Sequence, residues 1–477
     1  MPGRGFSALW LALLLTAPAC GQTPGTPLAQ PAVAAPAEAE PAAAAAEAPA
    51  GNLARRTQGE DWADFLGPGR TGRSPETGIR TDWSKGLPLV WTRELGTSYG
   101  IGTVSRGRYF QFDRFENRAR LYALNAETGE ELWRHEYPTH YRDMYGYNGG
   151  PRTTPVVDGG HIYALGADGV LLCVEAETGK EVWQVDTNEK FGVVQNFFGV
   201  GSTPIVSGDL LLVMVGGSPA SSREVPEGAL DRVEPNGSGV VAFDKRTGEV
   251  KYQLGEELAS YASLQTAKIG GRNWCLAFCR GGLLAFEPAA GMETLHYPWR
   301  ARILESVNAS MPVVVDDEIF ISETYGPGSA LLKLAGGKLE TVWADDARSR
   351  EKAMQTHWNT CIYHEGFLYG SSGRHAHEAE VRCIEWKTGK VRWSEPGLSR
   401  CSLTYIDGHL LCLGEYGTLH LLRATPERFE QVAEWTPAEN GEQLLNAPAW
   451  AAPIVSRGLL YLRGDDRLLC AELIPQR

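Results

Sequence analysis

Short apolar runs separated by glycine-containing turns dominate the chain from about residue 90 onward. Within residues 154–183, four runs of three to five mostly apolar residues alternate with turn sequences such as Asp168-Gly169 and Thr178-Gly179. The runs are too short for helices and rich in β-branched residues. Glycine supplies the positive φ angle that tight turns need. The segment is therefore predicted to form a four-stranded antiparallel sheet.

This unit repeats along the chain with a period near fifty residues. The last strand of each unit carries an aromatic residue, and the spacing between neighbours ranges from 42 residues (393 to 435) to 69 residues (183 to 252). The aromatic positions are Trp133, Trp183, Tyr252, Trp299, Trp343, Trp393 and Trp435. One such sheet cannot bury both of its faces alone. A four-stranded unit with this period is typical of a β-propeller blade.

The turn before the aromatic strand repeats as well. A small residue, an acidic or amide residue, a Thr-Gly pair and the aromatic residue keep a fixed spacing, as in Ala123, Asn125, Thr128-Gly129 and Trp133. The same spacing begins at Cys173, Ala242 and Cys383. This motif resembles the tryptophan-docking motif of the PQQ-like, or quinoprotein-like, propeller family, over roughly residues 62–473. The resemblance implies an all-β, eight-bladed propeller of four-stranded antiparallel blades.

Two incomplete units at opposite ends of the repeats suggest how the ring closes. Residues 87–91 form an isolated apolar strand that contains Trp91, whereas the last unit, residues 452–471, supplies three strands and no aromatic strand. We expect the N-terminal strand to complete the last blade, which gives eight blades and removes an exposed sheet edge. A linear β-solenoid is the alternative, but its shorter period leaves the Trp91 strand unexplained.

The first sixty residues lack the strand pattern. An apolar run at residues 8–17 follows Arg4 and precedes Pro18-Ala19, so residues 1–19 are predicted to be a signal peptide. Residues 20–59 are mostly Ala, Pro, Glu, Gln, Gly and Thr and are predicted to be a disordered tether. Residues 60–477 are assigned to one propeller domain, with residues 60–86 as an irregular collar. We expect an exported protein, either free in the periplasm or anchored to the outer membrane by lipidation of Cys20.

Charge and cysteine usage narrow the possible functions. A net charge of −13 and a pI near 5.4 argue against binding to nucleic acid or to an anionic membrane surface. Three of the nine cysteines, Cys173, Cys383 and Cys470, take the place of the small packing residue of the repeat. Cys275 and Cys279 are too far apart along one strand to pair comfortably. We therefore expect structural free thiols.

Long connections are concentrated on one face of the predicted propeller. In a blade with strands A to D, the B–C loops and D–A crossovers share one face, which we call the loop face, and the A–B and C–D turns share the other, the turn face. The long connections all belong to the loop face and comprise residues 135–151, 186–201, 216–237, 300–309, 344–357 and 371–379. Loops on a rigid scaffold commonly carry binding sites, so we expect the ligand or partner there.

Polar residues on the loop face are the candidates for binding. The last residues of each crossover enter strand A, close to the mouth of the central channel. The candidate ligand-binding or partner-binding residues are Arg152, Asn308, His357, Asn359, Arg374 and Arg400. For any single one of them, a structural role in holding the loops together is the alternative.

Three histidines on the same face form an alternative metal site. His357, His375 and His377 would place three imidazoles around an open position, which suits zinc or copper. However, two histidines two residues apart in a polar loop commonly face water, and no acidic residues are evident as their partners. The sequence therefore predicts no metal site.

Three classes of function stay open. The resemblance implies either a non-enzymatic binding or scaffolding propeller of the cell envelope, similar to the propeller lipoproteins that assist outer-membrane barrel assembly, or a PQQ-dependent dehydrogenase that oxidises an alcohol or sugar with PQQ and calcium. The dehydrogenase is the weaker alternative, because the chain has no adjacent cysteines and no Cys-x-x-Cys-His motif. A hydrolase or lyase lacks a nucleophile motif. We predict a monomeric scaffold that binds an envelope protein or a small polar ligand, without a cofactor and without assigned catalytic residues.

Overall fold

Short β-strands account for most of the regular structure in the computed structural model, which describes residues 49–476. The expected signal peptide, the lipidation candidate Cys20 and most of the expected tether lie outside the described residues. The described helices are one α-helix, Thr187–Phe191, and three 3₁₀ helices, Pro68–Arg70, Ala220–Ser222 and Leu230–Arg232. No helix in this part of the chain is long and apolar enough to cross a membrane.

Eight antiparallel sheets of four strands form the blades of a propeller, and one sheet gains a fifth short strand. The strands of each blade are given in the order A to D. Blade 1 contains Thr103–Ser105, Arg108–Phe115, Arg118–Asn125 and Glu131–Pro138, and blade 2 contains Val156–Asp158, His161–Leu165, Val170–Glu175 and Glu181–Asp186. Blade 3 contains Ile205–Ser207, Leu210–Met214, Val240–Asp244 and Val250–Leu254, and blade 4 contains Gln265–Ile269, Arg272–Phe278, Gly282–Glu287 and Met292–Pro298. Blade 5 contains Val313–Val315, Glu318–Glu323, Gly328–Ala335 and Lys338–Ala344. Blade 6 contains Ile362–His364, Phe367–Ser372, Glu380–Glu385 and Val391–Pro396. Blade 7 contains Cys401–Ile406, His409–Gly414, Leu419–Arg423 and Gln431–Trp435. Blade 8 contains Ile454–Ser456, Leu459–Arg463, Arg467–Glu472 and Leu89–Glu94, and a separate hairpin pairs Ala438–Glu439 with Glu442–Gln443. The all-β, eight-bladed propeller that the sequence predicts is confirmed.

The hydrophobic core is divided into layers between neighbouring blades. Strands B and C are buried almost throughout, as in Val170–Glu175, because another blade covers each face. Strand D alternates mainly between partly buried and exposed positions, as in Glu131–Pro138. Between blades 1 and 2, for example, Phe110 and Leu121 pack in one cluster with Leu172.

Blade 8 combines strands from both ends of the repeats. Leu89–Glu94 runs antiparallel to Arg467–Glu472, and Trp91 lies opposite Cys470. The indole nitrogen of Trp91 donates a hydrogen bond to the carbonyl oxygen of Ala126 in the first blade, at 3.0 Å. The contribution of this pairing to closure of the ring stays a prediction.

Aromatic side chains on strand D connect each of six blades to the next blade. Five tryptophans donate through Nε1 to a carbonyl oxygen in or next to the C–D turn of the next blade, at 2.9–3.1 Å. Trp91 donates to Ala126, Trp133 to Ala176, Trp183 to Lys245, Trp343 to Trp386, and Trp393 to Thr425. In blade 3, the Tyr252 hydroxyl donates to Pro288 in the same way. This is the docking role expected from the repeat.

Two of the aromatic positions assigned from the spacing are wrong. The docking residue lies opposite the small residue of strand C, as Trp133 lies opposite Ala123. In blade 4, Leu295 takes that place and Trp299 follows the end of the strand. In blade 7, Ala433 takes it and Trp435 lies two residues further along. Spacing alone located a nearby tryptophan but did not give its register in the sheet.

The cysteines of the described chain are packing residues. All eight are buried. Cys173, Cys383 and Cys470 lie opposite Trp183, Trp393 and Trp91, the position that alanine holds in other blades. The interpretation of these three as small packing residues is confirmed.

The collar closes the channel at the turn face. We call residues 62–74 the plug. Its short strand Arg73–Ser74 pairs in parallel with the innermost strand of blade 7, at Tyr405 and Ile406. The Arg70 guanidinium is buried, forms an ion pair with Asp64, and donates to the carbonyl oxygens of Leu264, at 2.7 Å, and Pro204. The plug therefore contacts several blades.

Candidate functional site

A cavity of about 190 Å³ lies between the plug and the loop face, among residues that lead into the innermost strands. We call it the axial cavity. Phe65 and Leu66 of the plug contribute to its lining, together with strand-A residues such as Ser402 and Leu403. Each D–A crossover returns to the centre of the propeller just before strand A begins. The last side chains of several crossovers therefore converge on one space.

Aromatic rings from four distant parts of the sequence form one side of the axial cavity. We call Tyr99, Tyr147, Trp358 and Trp450 the aromatic wall. The ring of Trp450 lies 4.5 Å from that of Trp358, 4.8 Å from that of Tyr99 and 6.0 Å from that of Tyr147, between centroids. These distances and the tilts between the rings are typical of favourable aromatic contacts. None of the four residues was a candidate from the sequence.

Arg400 lies against this wall. Its guanidinium carbon is 4.5 Å from the Trp358 ring centroid and 5.4 Å from that of Trp450. The group is held by Glu415, with Nη2 to Oε2 at 2.5 Å and Nε to Oε1 at 3.0 Å. Burial acts to raise the pKa of Glu415, but hydrogen bonds from Arg400 and Trp450 outweigh it, so the pKa is lowered. The ion pair fixes the arginine beside the cavity.

Arg152 is held in a similar way from the first crossover. Its Nη2 donates to Asp143 at 2.8 Å, and the Asp143 side chain is fully buried. The guanidinium carbon lies 5.4 Å from the Tyr99 ring and 5.2 Å from the Tyr141 ring. Its buried Nε has no hydrogen-bond acceptor among the described residues.

His357 is a neutral imidazole in the lining of the cavity. Its Nε2 lies 3.1 Å from the Tyr325 hydroxyl. Burial, followed by the charges of Arg400 and Arg374, lowers the pKa of His357 to about 3. The guanidinium of Arg374 stacks over the Tyr325 ring at 4.5 Å, and the Arg374 carbonyl oxygen accepts a hydrogen bond from Arg400. These residues form one connected group.

The structure brings four of the six candidates together. Arg152, His357, Asn359 and Arg400 line the axial cavity. Arg374 does not line it but contacts Arg400 through its backbone.

Asn308 lies elsewhere, buried where the fourth crossover meets the loops of blade 4. Its Nδ2 donates to the carbonyl oxygens of Cys279, at 2.7 Å, and Trp299, at 3.1 Å. These contacts give Asn308 a structural role in holding loops together, the alternative that the sequence left open.

The histidine group does not converge. The rings of His375 and His377 are stacked with centroids 5.9 Å apart, while His357 contacts Tyr325. Across residues 49–476, no three His, Cys, Asp or Glu side chains are arranged to hold a metal ion.

One unusual carboxyl group near the site was not among the six candidate residues. Glu323 ends strand B of blade 5 and is 1% exposed. Its Oε2 accepts a hydrogen bond from the backbone nitrogen of Tyr325 at 2.6 Å, and its Oε1 has no partner in the described chain. Burial raises the pKa of Glu323 to about 7. Its position at a strand end, before a turn, carried no signal of burial.

Apolar side chains are exposed beside the cavity on the loop face. We call Met144, Tyr145, Tyr147 and Phe198 the apolar rim. Met144, Tyr145 and Tyr147 are 39%, 52% and 46% exposed, and all three belong to the first crossover. The rings of Tyr145 and Phe198 are 5.6 Å apart. Tyr147 belongs to both groups and connects the rim to the aromatic wall.

A comparison with curated proteins finds one relative of known name. A curated relative from Nitrosomonas eutropha, an outer membrane protein assembly factor BamB, is 26% identical over 220 residues, or 41% of this chain. The matched region spans 51% of that relative's length.

Solved structures share the fold. BamB from Moraxella catarrhalis superposes with a TM-score of 0.53 at 14% identity, over 82% of this chain and 99% of that one. The computationally designed Ika8 protein gives 0.50 at 10% identity, over 81% of this chain and 100% of that one.

The family model described as outer membrane protein assembly factor BamB matches residues 88–231 and 117–395. The two matches together span residues 88–395, more than half of the 477-residue chain. The chain therefore belongs to the family of the outer membrane protein assembly factor BamB.

Proposed function

We propose that the protein is a non-enzymatic, monomeric binding module that acts with other envelope proteins in outer-membrane protein assembly. Membership of the BamB family supports this role. The observation that carries the proposal is the apolar rim, because exposed apolar side chains grouped on one face of a soluble domain are typical of protein–protein contacts. The rim lies on the loop face, where the sequence predicts binding.

The composition of the rim fits a protein partner. Tyrosine, phenylalanine and methionine are enriched at interfaces, and large aromatic side chains often supply most of the binding free energy. Other exposed apolar residues, such as Val182 and Val391, are on the outer D strands of separate blades. They are therefore less suited to form one contact surface.

The test replaces two rim residues in the organism that encodes the protein. We expect Met144→Ser combined with Tyr145→Ser to lower the amounts of outer-membrane β-barrel proteins toward those of a strain lacking the gene. Met292→Ser is the matched control, because Met292 is 61% exposed at the start of strand D, next to the turn face. Quantitative mass spectrometry of outer-membrane fractions measures the amounts of β-barrel proteins in the rim variant and in the control. Wild-type amounts in the rim variant, with equal expression, would overturn the proposal.

We also propose that the protein is exported and anchored through Cys20. The apolar run at residues 8–17 and the family assignment support export. We expect palmitate labelling of the wild type and loss of labelling in Cys20→Ser. A mature, unlabelled periplasmic protein would indicate the free form. Recovery of the uncleaved chain in the cytoplasm would contradict export.

The proposed function needs no cofactor. PQQ is a tricyclic compound with three carboxylates, and the axial cavity of about 190 Å³ is smaller than the roughly 300–1,000 Å³ of common ligand pockets. The small size of this cavity supports a role without the cofactor. Titration of the purified protein with PQQ, with and without calcium, tests this directly. Stoichiometric binding with quinone-dependent oxidation of an alcohol or sugar would favour the dehydrogenase instead.

A further inference from the structure

We propose that the axial cavity binds a single aromatic ring that carries a carboxylate. This site adjoins the apolar rim and shares Tyr147 and Phe198 with it. The inference does not depend on the proposed scaffolding role. A free aromatic acid and the aromatic C-terminal residue of a polypeptide share this chemistry.

The walls of the cavity fit one ring. Trp358 and Trp450 contribute flat faces from the loop side, and Phe65 and Leu66 contribute apolar surface from the plug. A volume of about 190 Å³ leaves room for an aromatic ring with a short substituent. Aromatic surfaces favour a ring through stacked or edge-to-face contacts.

Two hydrogen-bond donors in the lining lack an acceptor. Arg152 Nε and Trp358 Nε1 are buried and have no partner among the described residues. Guanidinium and indole nitrogens only donate hydrogen bonds. Since an unpaired buried donor costs about 1–3 kcal/mol, the missing partner at this site is an acceptor.

The charges around the cavity favour an anionic acceptor. Arg152 and Arg400 are balanced by Asp143 and Glu415. Arg374 adds a further positive charge and has no ion-pair partner in the described chain. The pKa of His357 is lowered mainly by burial and next by the charges of Arg400 and Arg374. This lowering agrees with a positive electrostatic potential at the cavity. A carboxylate beside the ring satisfies both the donors and the charge.

Calorimetric titration of the purified protein with 3-phenylpropionate tests the inference. We expect one site per chain, and at least tenfold weaker binding of 3-phenylpropanol, which has the same ring but no charge. N-acetyl-L-phenylalanine represents the end of a polypeptide. Tighter binding of this compound than of 3-phenylpropionate assigns the site to a polypeptide terminus, and weaker binding assigns it to a free acid.

Two variants locate the site. Ala309 lines the cavity, so Ala309→Phe should fill it and abolish binding. Arg374 is exposed, so the Arg374→Gln protein should fold normally. Its binding of 3-phenylpropionate should be several-fold weaker, whereas its binding of 3-phenylpropanol should not change. Val391→Phe, on an exposed outer strand, is the control for Ala309→Phe.

Three results would overturn the inference. They are no heat of binding at millimolar 3-phenylpropionate, equal affinity for the acid and the alcohol, and unchanged binding in a folded Ala309→Phe protein. Circular dichroism confirms folding of each variant. The rim variant that combines Met144→Ser with Tyr145→Ser changes two residues that do not line the cavity, so it should bind 3-phenylpropionate as the wild type does. Failure of this inference and failure of the scaffolding role are therefore separable.

Discussion

At the scale of single residues, Glu323 is a carboxyl group that the fold keeps away from water. Burial raises its pKa from the ordinary value of 4.5 to about 7. A carboxyl group whose pKa is higher in the folded state stabilises the fold most at low pH. That contribution is lost as the pH rises from about 4.5 to about 7. At pH 8 the protein therefore carries the cost of a buried, charged Glu323.

We expect Glu323→Gln to raise the free energy of unfolding at pH 8 and to have little effect at pH 5. Glutamine keeps an oxygen acceptor for the Tyr325 backbone nitrogen but carries no charge. The difference between the two pH values is at most about 3 kcal/mol, since one pKa unit corresponds to about 1.4 kcal/mol. Urea denaturation at both pH values measures it. Glu305→Gln, at an exposed residue of the loop face, is the control. An equal effect of Glu323→Gln at both pH values would contradict the prediction.

At the scale of the blade, the docking aromatic residue fixes one sheet against the next. Trp183 is buried between blades 2 and 3 and donates to Lys245. We expect Trp183→Ala to lower the free energy of unfolding by about 3–5 kcal/mol, because it leaves a cavity. Trp183→Phe should cost less, although it loses the hydrogen bond of about 1 kcal/mol as well as part of the indole. Trp435→Ala, outside the docking position, should cost less than Trp183→Ala. Equal losses for Trp183→Ala and Trp435→Ala in thermal or chemical denaturation would refute this role.

The plug is attached to the blades in part through one arginine, Arg70. Replacing Arg70 by methionine leaves the carbonyl oxygens of Leu264 and Pro204 and the Asp64 carboxylate without their donor. We expect a loss of about 1–3 kcal/mol, because buried carbonyl oxygens lose a charged donor while Asp64, 29% exposed, stays partly solvated. Proteolysis near residues 62–74 should become faster. Arg114→Met, at a partly buried arginine of blade 1, is the comparison, and unchanged proteolysis in Arg70→Met would contradict the prediction.

The blades were predictable because their signals are local. Thr178-Gly179 and the residues around it specify a turn and the following strand within ten residues of sequence. The register of strand D was less accessible, since Trp299 and Leu295 compete for one position and only the pairing with Ala285 decides between them. A pattern of spacing locates a strand, whereas the sheet decides which residue faces the next blade.

At the scale of the whole molecule, the axial cavity depends on how distant segments converge. Arg152, His357, Asn359 and Arg400 were identified because each ends a crossover, a position that the repeat makes visible. The aromatic wall was missed. Tyr99 and Trp450 contact each other across more than three hundred residues of sequence, since blades 1 and 8 are neighbours in the ring. Neither residue has a neighbour in the sequence that marks it as part of a site.

The predicted closure of the ring involves both ends of the repeats, because blade 8 takes its outer strand from their start. Deleting residues 87–95 removes the strand that pairs with Arg467–Glu472 and the Trp91 contact to Ala126. It exposes a sheet edge and separates blade 8 from blade 1. We expect a much lower melting temperature than for deletion of residues 23–48, which belong to the predicted tether. If the shorter chain does not fold, Trp91→Ala in the full chain should still melt below Val90→Ala, since Val90 is exposed on the same strand. Equal melting temperatures within each pair would show that this strand does not hold the ring closed.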